Sequence, residues 1–112
     1  MNWNFLEQVD QVKELEKESD EKTILIFKHS TRCSTSRMVL DRLERNWKKE
    51  GLNAKPYFLD LLSYREISNT VEENFNVRHE SPQVLIIRNG KSVFNCSHFN
   101  IDWDVIKNAV QN

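Results

Sequence analysis

Cys33 stands in the run Lys28-His29-Ser30-Thr31-Arg32-Cys33-Ser34-Thr35-Ser36-Arg37, where an apolar β-branched segment gives way to a helix-forming one. A cysteine at such a junction lies beside the unpaired amides of a helical first turn, here those near Ser34–Ser36, and these donors favour thiolate over thiol. Lys28, Arg32 and Arg37 can add positive potential. The chemistry suited to this setting is attack by sulfur on the sulfur of a disulfide. Ser36 occupies the place a second cysteine would take in Cys-x-x-Cys. Its hydroxyl can hydrogen-bond to the sulfur but cannot resolve a mixed disulfide, so the pattern points to monothiol exchange. Serine is also a good helix-start residue, and that structural role stays open beside the chemical one.

The other cysteine, Cys96, forms no Cys-x-x-Cys pair with Cys33. In a reducing compartment a standing disulfide between them is disfavoured, which leaves Cys96 as an accessory or resolving thiol, or as a packed strand-end residue. His29, His79 and His98 do not recur at metal-ligand spacings, so no metal site is expected.

The elements that must position Cys33 can be read from periodicity. Phe5, Val9, Val12 and Leu15 recur at helical spacing and predict an amphipathic helix over Phe5–Glu18. Thr23–Lys28 reads as a strand covered on both faces. Ser34–Glu50 carries Met38, Leu40, Leu43 and Trp47 and is closed by Gly51, as a helix would be. Lys55–Leu61 is a second apolar strand, and Ser63–Asn76 a helix with Ile67, Val71 and Phe75 facing inward. After Pro82 the period changes. Gln83–Ile87 and Ser92–Cys96 flank Asn89-Gly90, a strong hairpin signal, and Ile101–Val110 closes the chain as a helix with an inward stripe of Ile101, Val105, Ile106, Ala109 and Val110.

A βαβ unit followed by a helix and a hairpin builds a mixed four-stranded sheet with flanking helices. This is an α/β fold, the minimal thioredoxin-like arrangement with an additional N-terminal helix, and the whole of residues 1–112 reads as a single domain. Chemistry in open α/β sheets concentrates beyond the carboxyl ends of the parallel strands, which is where Cys33 falls. Ser81-Pro82 starts the hairpin at that same end, and a cis bond there would turn the backbone toward a thiol ligand. The returning strand brings His98 back toward Cys33, either to orient a ligand or as a loop residue without a chemical role.

With 16 Lys and Arg against 17 Asp and Glu, the formal charge is −1 and no global basic field invites nucleic acid. The start MNWNFLEQVDQVKELEKESD lacks a signal-peptide core, and no later stretch approaches a membrane span. A cytoplasmic protein without a membrane role is expected. The sequence leaves monomer and weak dimer open.

Three segments carry a resemblance over nearly the whole chain: Phe27-Lys28-His29-Ser30-Thr31-Arg32-Cys33-Ser34-Thr35-Ser36, Tyr57-Phe58-Leu59-Asp60-Leu61 and Val77-Arg78-His79-Glu80-Ser81-Pro82-Gln83-Val84. They resemble the YtxJ-like monothiol bacilliredoxin family, and Asn89-Gly90 and Ser97-His98 agree with it. The resemblance implies a thioredoxin-like fold in a bacterial cytoplasm. It implies that Cys33 removes bacillithiol from bacillithiolated client proteins, with bacillithiol as co-substrate and no tightly bound cofactor. It also carries over Ser36 as the residue replacing a resolving cysteine and Pro82 as a cis-proline facing the thiol. Ser34-Thr35 departs from the Pro-Ile pair common in that family, and Cys96 lies outside its usual cysteine pattern. Bacillithiol carries carboxylates, so Lys28, Arg32, Arg37 and Arg78 are candidates for a local positive patch, together with Ser81 and His98 for substrate binding. A shorter match, Cys33-Ser34-Thr35-Ser36-Arg37, resembles the start of glutaredoxin-like arsenate reductases, but Ser81 stands where they have an arginine before the proline. A redox-responsive interaction module without turnover is the third reading.

Overall fold

Every residue of Ile24-Leu25-Ile26-Phe27-Lys28-His29 is buried, so this strand is the middle of the fold. The computed structural model describes residues 1–112. In chain order the elements are β1 (Asn4–Phe5), α1 (Asp10–Glu18), β2 (Ile24–His29), α2 (Ser34–Glu50), β3 (Lys55–Asp60), α3 (Arg65–Phe75), β4 (Gln83–Arg88), β5 (Lys91–Ser97), a 3₁₀ turn His98–Asn100, and α4 (Trp103–Gln111). They form one five-stranded sheet in the order β1-β3-β2-β4-β5. β1 and β2 run parallel to β3, while β4 is antiparallel to both β2 and β5.

The alternation of side chains along β2 sorts the core into two layers. Ile24 and Ile26 pack with Val12, Leu15, Ile67 and Val71, so α1 and α3 cover that face. Leu25 and Phe27 pack with Val39, Leu43, Ile106 and Val110, so α2 and α4 cover the other. Full burial of each such aliphatic or aromatic side chain contributes about 1.5–3 kcal/mol. The hairpin turns at Asn89 and Gly90, both at positive φ (51° and 73°), the backbone that a two-residue turn of this hand requires.

The mixed sheet is the expected α/β architecture, with a strand added at its edge. The helix predicted from Phe5 begins instead at Asp10, and the residues before it enter the sheet. Gln11 explains the break: its side-chain oxygen accepts the amides of Glu7 and Gln8 at 2.7 and 2.9 Å, and its side-chain nitrogen donates to the Phe5 carbonyl at 3.1 Å. Leu6 then enters the core, while Phe5 and Val9, counted on the inward stripe, are exposed. Met38 and Val105 are also exposed, because Val39 and Ile106 hold the inward positions of their helices.

Arg88 closes the end of the sheet remote from Cys33. Its guanidinium donates to the carbonyls of Ala109 and Asn112 at 3.0 and 3.2 Å, and to that of Val110, while its Nε donates to Thr23 Oγ1 at 3.0 Å. A cation on the last carbonyls of a helix satisfies orphan acceptors and opposes the negative end of the helix dipole. Arg88→Ala is expected to lower stability by about 1–3 kcal/mol in urea denaturation. Amide exchange should then accelerate at the end of α4 and stay unchanged in α3.

Candidate functional site

β2 ends at His29, and the loop Ser30–Arg32 carries the chain to Cys33, the cap residue of the 17-residue α2. Cys33 has extended backbone (φ −104°, ψ 118°), and no side chain caps the helix start. Its amide donates to the Ser30 carbonyl at 3.2 Å, and its carbonyl accepts the Arg37 amide at 3.1 Å. The amides of Ser34, Thr35 and Ser36 therefore have no backbone partner and form the positive end of the helix beside a half-exposed thiol.

Ser36 is fully buried. Its hydroxyl accepts the Ser30 amide at 3.1 Å and lies 2.7 Å from His29 Nδ1. The hydroxyl is thus shared with a buried histidine that the reading of site residues passed over. The signal was present in the strand alternation, because His29 has the parity of Leu25 and Phe27 and must face α2. The imidazole lies against Phe27 and Phe58, with ring centroids 5.9 and 5.4 Å away. Burial holds the His29 pKa below its ordinary value, with Asp60 and Glu44 pulling it up and Arg37 pushing it further down.

Ser81-Pro82 is a cis peptide. Gln83, the next residue, pairs with Lys28 of β2 on one side and Ser97 of β5 on the other, so Pro82 lies at the same sheet end as Cys33. The His98 amide donates to the Pro82 carbonyl at 3.0 Å, which brings the expected histidine to this end as well. Its ring is exposed, with Nε2 4.0 Å from a carboxylate oxygen of Glu80, and the Ser97 hydroxyl donates to the other oxygen of that carboxylate. Ser81 Oγ is buried without a hydrogen-bond partner.

Of the basic residues expected to make a surface patch, Arg32, Arg37 and Arg78 are exposed. Lys28, expected in the patch, is not part of it. It is fully buried, with the parity of Ile24 and Ile26, and so points to the face opposite α2. There its Nζ lies 3.3 Å from His79 Nδ1, which is also 3.1 Å from Ser68 Oγ, while the His79 amide donates to Glu72 at 2.6 Å. Burial pushes the Lys28 pKa down to about 8, against the attraction of Glu72. Lys28 braces the segment leading into Ser81-Pro82 from beneath and offers no surface to a ligand.

Cys96 packs with Leu25, Val39 and Val84 in the layer under α2 and α4. Burial, with the Asp102 charge added, pushes its thiol up to about 12. Such a thiol is a poor nucleophile at neutral pH.

Comparison with known proteins agrees with this geometry. Residues 4–106 match the profile of the family described as Monothiol bacilliredoxin BrxC. A solved structure described as a candidate oxidoreductase with a thioredoxin fold superposes with a TM-score of 0.81 at 28% identity, covering 94% of this chain and 90% of that one. Fasciola hepatica thioredoxin gives 0.75 at 15% identity, covering 96% of each chain. Malassezia sympodialis thioredoxin also gives 0.75, at 18% identity, covering 98% of this chain and 89% of its own. The two thioredoxins speak for the fold, and the family profile, spanning nearly the whole chain, speaks for the chemistry. The chain belongs to the monothiol bacilliredoxin family and is a thiol-redox protein of the thioredoxin superfamily.

Proposed function

We propose that this protein strips bacillithiol from protein mixed disulfides, with Cys33 as its attacking thiol. The Cys33 thiolate attacks the bacillithiol sulfur; the client's disulfide bond breaks, the client leaves as a thiolate, and a Cys33–bacillithiol disulfide forms. A free bacillithiol thiolate then attacks the bacillithiol sulfur of that adduct, releasing Cys33 thiolate and bacillithiol disulfide. Electrons balance with bacillithiol as the reductant, and no cofactor enters. One observation carries this reading: half-exposed Cys33 stands at the cap position of a long helix whose first turn holds no second cysteine, while the other thiol is buried and held protonated.

The test follows intact masses with a bacillithiolated client and the same client modified by glutathione. The expected result is a bacillithiol adduct on this protein, release of reduced client, and turnover when free bacillithiol is added. Reaction with arsenate and with neither modified client would favour the arsenate-reductase resemblance. Reversible modification that alters partner binding without releasing client would favour an interaction module.

Arg32, exposed and adjacent to Cys33, is proposed to meet the bacillithiol carboxylates. Arg32→Ala is expected to raise KM for the bacillithiolated client about two- to fivefold, as fits an exposed ion pair. The effect should leave kcat largely intact and shrink with added salt. A kcat loss with unchanged KM would place Arg32 elsewhere in the cycle.

A further inference from the structure

The chain between α3 and β4 reaches the Cys33 end of the sheet with no backbone pairing of its own. No amide or carbonyl of residues 78–81 bonds to another backbone group, and the His98 amide on the Pro82 carbonyl is the first such bond after them. We propose that Glu72 and Gln83 are positioning residues for thiol exchange: their side chains hold this backbone where a client's disulfide must lie to meet Cys33. The inference rests on the exchange reaction proposed above and adds the residues that shape its docking strip.

Backbone groups shielded from water need partners, and a segment outside helix and sheet must find them on side chains or in solvent. Here two side chains supply them. The Glu72 carboxylate on α3 accepts the His79 amide at 2.6 Å. Gln83, the buried first residue of β4, uses both ends of its amide: Nε2 donates to the Arg78 carbonyl at 3.0 Å, and Oε1 accepts the Glu80 amide at 3.4 Å. Consecutive residues of the segment are thereby fixed from the two elements that flank it. Gln83 also pairs in register with Lys28, one residue before His29, so the clamp is built beside the strand that delivers the chain to Cys33.

His79 is anchored at its ring as well as at its amide. Nδ1 lies 3.3 Å from Lys28 Nζ and 3.1 Å from Ser68 Oγ. A charged ammonium has no lone pair, so Nδ1 accepts and the ring proton stands on Nε2. Stability alone does not account for this set. Lys28 and Gln83 are buried at strand positions next to Phe27 and Val84, where apolar side chains would pack without the cost of burying polar groups. The bonds from Lys28, Ser68, Glu72 and Gln83 all end on the one segment, and a satisfied buried network of this kind specifies a single conformation for it.

The experiment uses a single-cysteine peptide blocked as its bacillithiol mixed disulfide, and the same peptide blocked with glutathione. Exchange rates are measured for the full chain as parent, Glu72→Ala, Glu72→Gln and Gln83→Met, beside the rate of Cys33 alkylation by iodoacetamide. Glu72 is half-buried on a helix, where alanine is well tolerated. Glu72→Ala and Gln83→Met are expected to slow exchange about tenfold, as a small misplacement of reacting partners does. Alkylation should stay unchanged, because the small reagent needs no docking strip. Glu72→Gln keeps an oxygen for the His79 amide and should recover most of the exchange rate. Amide hydrogen exchange should quicken at His79 in Glu72→Ala and stay as in the parent across α2. Exchange rates equal to the parent's, an equal fall in alkylation, no recovery in Glu72→Gln, or an unaltered His79 amide overturn the proposal. The parent reports on the underlying reading separately. A parent that exchanges only with the glutathione peptide overturns the bacillithiol reading, and the variants are then compared on that peptide. A parent inert to both overturns thiol exchange and the positioning with it.

Discussion

Cys33→Ser is expected to abolish release of bacillithiol from a modified client, with a fall of about a thousandfold or more, as removal of an attacking group commonly produces. Cys96→Ser is expected to retain most activity. The contrast follows from placement. The first stands at the start of a helix whose leading amides are unpaired, while the second is buried in the core layer with Leu25, Val39 and Val84, its thiol pushed up to about 12. Intact mass separates the outcomes, since the adduct should appear on the parent and on Cys96→Ser but not on Cys33→Ser. A client–Cys33 disulfide that accumulates only in Cys96→Ser would show Cys96 acting as a resolver, and the monothiol cycle would be wrong.

Lys28→Met is expected to stabilise the fold at neutral pH by up to about 3 kcal/mol, read as a melting temperature several degrees higher. The folded chain loses the Lys28 proton at about 8 against an ordinary 10.5. Below the lower value both folded and unfolded chains hold the proton, and the folded state bears the full cost of a buried ammonium. Between the two values the unfolded chain binds more protons, so the parent gains stability as pH rises. The advantage of Lys28→Met should therefore be largest at neutral pH and shrink as pH climbs through that window. Comparing variant with parent cancels the contributions of all other titrating groups. A variant less stable than the parent throughout would mean that the Lys28 contact with His79 and the attraction of Glu72 outweigh the cost of burial.

Much of the fold was legible because its signals were local. The apolar run of β2, the Gly51 stop of α2 and the Asn89-Gly90 turn each depend on a few neighbouring residues. The helix Ser34–Glu50 was read to both of its ends. The N-terminal strand was not legible, since Asn4-Phe5 is held by pairing with Tyr57-Phe58, far away in sequence, and by the turn that Gln11 ties. Phe5 and Val9 completed a convincing helical stripe, and tertiary pairing overrode it.

At the site, Cys33 and Ser36 were visible from spacing. The bond from Ser36 to His29 was hidden because helix and strand come together there in three dimensions. Lys28 misled for a related reason: a lysine beside arginines reads as surface charge, yet its parity with Ile24 and Ile26 placed it in the core. Strand parity held the correct answer for both Lys28 and His29, and charge type concealed it.

The guanidinium of Arg88 has a practical consequence for anyone attaching this protein to something else. It pins the carbonyls of Ala109, Val110 and Asn112 beside Thr23, at the start of β2, whereas Cys33 lies beyond the end of that strand. A tether, reporter or solid support joined after Asn112 departs from the pole opposite the thiol. Such a fusion leaves the Cys33 face turned outward, so immobilised protein can be used to test whether the proposed thiol traps a client as a mixed disulfide.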